Sequence, residues 1–283
     1  MVRYFVGAEG QSLASEHIGP DTAAPVILAH GAGQTRAAWR NTAAALVAAG
    51  WRVIALDLRG HGESAWSPSG AYRLEDFAAD LLAVADQLDT KPALVGASLG
   101  GLAGLIAEAE QRAASFTSLT MVDIAPSMEL PGVARVLDFM GAHVERGFAS
   151  VEEAVQVISS YLPQRSPRQR GAGIERYLRL CDDGRYRWHW DPRFIQSAQG
   201  ARVSDSMDRL TRAAQKLSLP VHLIRGGMSD LVSEKSVADF LKLVPQAAYT
   251  DIVGAGHMVV GDRNDAFCDA IVKFLNAPPH GAS

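Results

Sequence analysis

The hydrophobic positions of this chain form short continuous runs that alternate with longer amphipathic segments. The apolar runs predict strands that are buried on both faces, and the segments between them have the length of helices. This order predicts an α/β fold with a mostly parallel, doubly wound sheet. After a leading hairpin over 4–6 and 12–18, the predicted strands are 26–29, 52–57, 93–96, 118–123, 220–225 and 248–253, and the predicted helices are 37–49, 74–88, 101–114, 234–243 and 266–275.

The alternation stops after the fourth core strand, at Ala125-Pro126, and resumes near residue 218. Between these points the pattern predicts only helices and loops, with helices over 133–143, 151–161 and 174–181. An insertion between strands lies beyond their carboxyl ends, which is where ligands of open α/β sheets bind. We therefore expect a core of residues 1–126 and 218–283, and an all-helical cap over 127–217.

Composition narrows the class of protein. The chain has 283 residues, 48% of them hydrophobic and 20% charged, which is ordinary for a globular protein with a sizeable core. Its net charge of −4 argues against a nucleic-acid partner. The absence of a secretory signal and of an apolar membrane span predicts a cytoplasmic protein without a membrane partner. Cys181 and Cys268 form neither a disulfide framework nor a metal motif, so no metal and no cofactor are expected.

Candidate chemistry is concentrated at the ends of predicted strands. In Gly96-Ala97-Ser98-Leu99-Gly100, small residues flank a serine between a buried strand and a helix, which predicts a sharp elbow that exposes the hydroxyl. The helix that follows offers free N–H groups to a developing negative charge. Three further motifs end strands, namely His30-Gly-Ala-Gly33, Asp57-Leu-Arg-Gly-His-Gly-Glu-Ser64 and Gly254-Ala-Gly-His257.

Together with the chain order Ser98, Asp230, His257, these motifs resemble the α/β-hydrolase fold family. The resemblance implies that Ser98 is the nucleophile, that His257 is its general base, and that Asp230 orients the imidazole. It also implies an oxyanion hole formed by the backbone N–H groups of Ala32 and Leu99. Asp123 is the alternative acid, because it too ends a core strand and some family members carry their acid there.

The resemblance implies a cofactor-free serine hydrolase that cleaves a carboxylic ester or a related acyl substrate of small size through an acyl-enzyme. A lactonase, a cofactor-free perhydrolase or haloperoxidase-like enzyme, and a carbon–carbon bond hydrolase stay open, as does a ligand receptor on the same fold. A homo-oligomer is also possible. The residues Gly31-Ala-Gly33 imitate a dinucleotide-binding turn, but Arg36 stands where that pattern needs its third glycine.

A substrate pocket in such a fold is mainly apolar, with few polar groups. The cap and the strand-end motifs supply suitable side chains. The residues expected to line the pocket are His30, Phe139, Met140, Trp188, Trp190 and Met258.

Overall fold

The structure, a computed structural model, describes residues 2–161, 174–199, 203–257 and 265–277. Its strands are β1 (Val2–Val6), β2 (Ser12–Ile18), β3 (Pro25–Ala29), β4 (Arg52–Leu56), β5 (Ala93–Ala97), β6 (Leu119–Val122), β7 (Leu178–Leu180), β8 (Tyr186–Trp188), β9 (Val221–Gly226) and β10 (Ala248–Ile252). The central sheet has eight strands in the order β1-β2-β4-β3-β5-β6-β9-β10. Strand β2 pairs antiparallel with β1 and β4, whereas every pair from β4 to β10 is parallel. The mostly parallel sheet is therefore confirmed.

Helices cover both faces of this sheet. They are α1 (Arg40–Ala48), α2 (Leu74–Asp86), α3 (Leu99–Ile106), α4 (Leu130–Gly141), α5 (Val151–Tyr161), α6 (Pro192–Gln199), α7 (Val203–Ala214), α8 (Glu234–Leu243) and α9 (Asp265–Leu275). Short 3₁₀ turns precede α1 and β7, at Arg36–Trp39 and Ile174–Tyr177. Helix α3 is shorter than the predicted 101–114, because its last turn widens into a π-helical turn over Ala107–Gln111.

Successive residues of the parallel strands belong to two different hydrophobic layers. In β3, Val26 and Leu28 pack in the layer that contains buried side chains of α1 and α9. Ile27 and Ala29 pack in the layer that contains those of α2 and α3. Because each strand is buried on both faces, its sequence is a continuous apolar run rather than an alternating one.

The segment between β6 and β9 differs from the all-helical prediction. It contains α4 to α7, but the predicted helix over 174–181 is replaced by a 3₁₀ turn and the antiparallel hairpin of β7 and β8. The hairpin forms because residues 182–184, Asp-Asp-Gly, provide a turn in which Gly184 has a φ of +75°. Helix α7 packs against α3 of the core, and Arg209 on it binds Glu75 and Glu110. The cap boundaries over 127–217 stay a prediction.

Within the described ranges, no helix combines the length and the hydropathy that a transmembrane span requires.

Candidate active site

Ser98 lies at the carboxyl end of β5, on a sharp turn into α3. Its backbone has φ 44° and ψ −110°, a conformation that a non-glycine residue adopts only under strain. Helix α3 packs closely on the sheet, since a Cβ on Gly100 would lie 2.4 Å from the carbonyl oxygen of Ala29. The chain must therefore turn sharply at Ser98 to pass from β5 into α3. The Ser98 side chain is partly exposed, although its neighbours on both sides are buried. The predicted elbow is present, and it presents the hydroxyl at the edge of the sheet.

The neighbouring strand β6 ends in a carboxylate that binds the candidate base. Asp123 follows β6 directly, and the N–H of Ser98 donates to the carbonyl oxygen of Val122 over 3.0 Å. The Nδ1 of His257 lies 2.6 Å from Oδ2 of Asp123. Asp123 is 1% exposed and, like Ser98, has a positive φ, of 48°. A buried, charge-assisted hydrogen bond of this kind holds an imidazole in one tautomer and one orientation.

Asp230, which the sequence favours as the acid, lies elsewhere. Its carboxylate forms an ion pair with Arg135 of α4 at 2.9 Å, and both side chains are about half exposed. The expectation that Asp230 orients His257 is therefore corrected: the structure places Asp123, the alternative acid, against the imidazole. The reason is the path of the backbone: Gly226, the last residue of β9, donates to Asp123, and the loop that follows turns Ser229 toward Asp123 and leaves Asp230 at the surface.

Two groups that the motifs do not indicate complete the surroundings of Asp123. The N–H of Gly226 donates to Oδ1 over 2.7 Å, and the hydroxyl of Ser229 donates to Oδ2 over 2.7 Å. The Ser229 oxygen also accepts the N–H groups of Leu231 and Val232, which fixes it in place. Asp123 thus accepts three hydrogen bonds from fixed donors. In the sequence, these two groups are marked only by the short run Gly226-Gly-Met-Ser229 at the end of a predicted strand.

The two predicted oxyanion donors lie on either side of Ser98. Leu99 is the first residue of α3, so its N–H has no acceptor within the helix. Ala32 lies in the turn Gly31–Gln34. This turn passes next to Ser98, since a Cβ on Gly31 would lie 3.4 Å from the Cβ of Ser98. This placement is compatible with an oxyanion hole, and the role of both amides stays a prediction.

Beside this turn lies the histidine cluster, defined as His30, His61 and His189. The ring centroids of His30 and His61 are 5.2 Å apart, and those of His61 and His189 are 5.8 Å apart. Each ring has one nitrogen that accepts a backbone N–H and one that faces a backbone carbonyl. All six nitrogens are thus occupied, which leaves none to ligate a metal. Burial lowers the pKa of each imidazole to about 3, so the three are neutral.

The residues predicted to line a pocket separate into two groups. His30 is fully buried, with Nδ1 donating to the carbonyl of Gly31 and Nε2 accepting the N–H of Leu58, so it connects two loops. The other predicted residues that the structure describes form one apolar cluster in the segment between β6 and β9 (the insert). In this cluster Trp188 stacks on Trp190 at 4.7 Å, and Phe139 lies at its edge, 5.6 Å from Trp188. A Cβ on Gly33 would lie 3.1 Å from Met140 and 3.2 Å from Trp190, so this apolar cluster covers the turn Gly31–Gln34. Met258 lies outside the described residues.

Comparison with known proteins gives this geometry a family. Residues 26–270 match the model of the alpha/beta hydrolase family. "Esterase Rv0045c" of Mycobacterium tuberculosis is 28% identical over 257 residues, which cover 89% of this chain and 82% of that protein. The mouse "sn-1-specific diacylglycerol lipase ABHD11" is 29% identical over 267 residues, covering 91% and 82% of the two chains.

A solved structure shows the same fold over almost the whole chain. The crystal structure of E-2-(acetamidomethylene)succinate hydrolase superposes with a TM-score of 0.80 and 23% identity, covering 98% of this chain and 99% of that one. A curated 2-(acetamidomethylene)succinate hydrolase, from Mesorhizobium japonicum, is 30% identical over 230 residues, covering 80% and 78%. The chain therefore belongs to the alpha/beta hydrolase family and is a hydrolase.

Proposed function

We propose that this protein is a serine hydrolase that cleaves a carboxylic ester of a small molecule through Ser98, His257 and Asp123. The observation that carries the proposal is the pairing of His257 with Asp123 at 2.6 Å, because Asp123 follows the strand next to the one that Ser98 follows. The esterase and lipase names of the relatives agree with an ester as substrate. They also favour an enzyme over a ligand receptor.

The reaction would proceed in two halves. Ser98 Oγ attacks the ester carbonyl carbon while Nε2 of His257 takes the hydroxyl proton, and the carbonyl oxygen becomes an oxyanion held by the N–H groups of Ala32 and Leu99. The carbon–oxygen bond to the alcohol then breaks, and the imidazolium returns the proton to the leaving alkoxide. In the second half, His257 takes a proton from water, the hydroxide attacks the acyl-enzyme, and the acid leaves as Ser98 regains its proton.

Asp123 has a defined task in both halves. Its carboxylate accepts a hydrogen bond from the protonated Nδ1 of His257, which leaves Nε2 unprotonated and able to act as a base. It also stabilises the imidazolium that forms in each tetrahedral step. Because Gly226 and Ser229 already donate to the carboxylate, it is held in position before the substrate arrives.

Labelling of the nucleophile tests the proposal. We expect a fluorophosphonate to modify the wild-type protein at one residue, identified as Ser98 by mass spectrometry, and to leave Ser98→Ala unmodified. Ser160→Ala, which removes an exposed serine of α5, is the matched control and should label at the wild-type rate. Turnover of p-nitrophenyl butyrate should be lost in Ser98→Ala only. Labelling at another residue, or activity retained in Ser98→Ala, would refute the proposed mechanism.

A panel of substrates then separates the reaction types that the motifs leave open. We expect the hydrolysis of p-nitrophenyl esters to be faster than the hydrolysis of lactones, the formation of peracids or the cleavage of diketones.

The cytoplasmic location indicated by the sequence stays a prediction.

A further inference from the structure

Backbone contacts within the turn Gly31–Gln34 fix its conformation. The N–H of Gln34 donates to the carbonyl oxygen of Gly31 over 3.1 Å, and Gly33 has a φ of +70°. A positive φ at the third residue of such a turn, with a negative one at the second, is the pattern of type II. Ala32 therefore occupies the first central position, and its N–H lies in the same peptide as the Gly31 carbonyl that closes the turn.

The amides of this turn are nearly all engaged. Gly31 donates to Oε1 of Gln34 over 3.0 Å, and Gly33 donates to Nε2 of His61 over 3.1 Å. Gln34 closes the turn itself. For the N–H of Ala32, the described part of the chain offers no acceptor. The amide that the proposed reaction needs is thus the one that the turn leaves available.

His189 contacts the carbonyl group of Gly33. Its Nε2 lies 3.3 Å from the carbonyl oxygen of Gly33, and its Nδ1 accepts the N–H of Gly62 over 2.8 Å. Because Nδ1 is an acceptor, Nε2 carries the proton and donates to Gly33. Gly33 is therefore held at its N–H by His61 from the core and at its carbonyl by His189 from the insert.

The segment that carries His189 is itself fixed to the core. The N–H of Asp191 donates to the carbonyl oxygen of Gly60 over 2.9 Å, and the hydroxyl of Tyr72 donates to Oδ2 of Asp191 over 2.6 Å. Trp190 packs on Gly33 from the same segment. The insert thus reaches the turn Gly31–Gln34 through a segment that is hydrogen-bonded to the core.

We propose that His61 and His189 are positioning residues that hold the Gly33 backbone, so that the N–H of Ala32 is aimed at the carbonyl oxygen of the substrate. The N–H of Ala32 shares its peptide with the carbonyl of Gly31, which accepts the N–H of Gln34 and faces Nδ1 of His30. Displacement of Gly33 would break its bonds to His61 and His189, and it would also move Gln34 and open the turn that holds this peptide. The oxyanion site is therefore complete only when the insert is docked on the core. This inference rests on the proposed serine mechanism.

Two amide substitutions at one position test it. In His189→Gln the side-chain amide reaches the place of Nε2 and can still donate to Gly33, whereas in His189→Asn it reaches only the place of Nδ1 and Gly62. We expect kcat for p-nitrophenyl butyrate to stay within about threefold of wild type in the glutamine variant and to fall about 10–100-fold in the asparagine variant. Loss of a whole oxyanion donor costs about 10²–10³-fold, and a misaimed donor costs less.

A second measurement separates positioning from a merely structural role. A trifluoromethyl ketone forms a tetrahedral oxyanion on Ser98, so its inhibition constant should rise by the factor by which kcat falls, while KM stays within about twofold. His143→Gln, which replaces a histidine of the insert that stacks on Phe148, is the matched control and should leave all three values unchanged.

Three outcomes would overturn the positioning role. They are an asparagine variant at least as active as the glutamine variant, a rise in KM at unchanged kcat, and an inhibition constant that does not follow kcat. If His189→Asn does not fold, the same pair of substitutions at His61 gives a second comparison with the same expected order. Activity retained in Ser98→Ala would instead refute the serine mechanism, so the two failures are distinguishable.

Discussion

The choice between two aspartates is the sharpest test of the proposed active site. Asp123 is 1% exposed and accepts three hydrogen bonds, from His257, Ser229 and Gly226. In Asp123→Asn the side chain keeps its shape. Its oxygen can continue to accept from Gly226, so its amino group then faces Nδ1 of His257. That amino group is a donor, so the imidazole must carry its proton on Nε2 and cannot accept the proton of Ser98.

The magnitude follows from this change of tautomer. In a serine protease, where the handling of the proton is the same, the equivalent substitution lowers kcat about 10⁴-fold. At about 1.36 kcal/mol for each factor of ten, this is about 5 kcal/mol of transition-state stabilisation. Asp230→Asn is the matched control, since it removes one charge from an ion pair whose partners are about half exposed. Such pairs contribute about 0–1 kcal/mol to stability, and we expect kcat/KM to stay within about twofold.

The assay is kcat/KM for p-nitrophenyl butyrate, measured on both variants at a temperature where circular dichroism shows each to be folded. The reasoning is refuted if Asp123→Asn keeps more than about a tenth of the wild-type value. It is equally refuted if Asp230→Asn loses more than about a hundredfold, because the solvent-exposed carboxylate would then be the acid.

Two further predictions concern stability. Each imidazole of the histidine cluster has a pKa near 3 when folded and about 6.5 when unfolded, so between these values the unfolded chain binds the extra protons and stability falls as the pH falls. We expect these three imidazoles to lower the free energy of unfolding from urea titration by about 4 kcal/mol between about pH 7.5 and about pH 5.5, and the buried His222, whose pKa is lowered to about 4, to add about 1 kcal/mol; equal values at the two pH values would show that these imidazoles are not buried as neutral groups. Gly100→Ala should lower it by about 1–3 kcal/mol or more, because its Cβ would lie 2.4 Å from a backbone oxygen. Gly256→Ala, whose Cβ meets no described residue within 4 Å, is the control in the same urea titration, and equal losses in both variants would contradict the close packing of α3.

Through His189, the insert supports the backbone of the proposed oxyanion site. Here the contact with Gly33 reaches the backbone next to a proposed oxyanion donor. Substitutions that loosen the segment around Asp191 would, by the same reasoning, lower kcat without contact with the substrate.

The amino-acid sequence by itself determines the class of fold and two of the three proposed catalytic residues. Continuous apolar runs predict the parallel strands, and the bounds of β2 and α8 coincide with the predicted 12–18 and 234–243. The elbow around Ser98 is equally local, because a turn from a strand into a closely packed helix needs small neighbours on both sides of the serine. His257 is marked by the glycines before it. These features depend on residues close together in the chain, which a pattern of types can encode.

Only the tertiary structure decides which aspartate meets His257. Asp123 and Asp230 both follow strands, so neither periodicity nor motif distinguishes them. The deciding contacts join residues more than a hundred positions apart, as in the bond from Gly226 to Asp123. They depend on β6 lying between β5 and β9, and on a backbone at Asp123 that turns its carboxylate toward both neighbours. The contact of His189 with Gly33 has the same origin, since it forms only where the insert docks on the core.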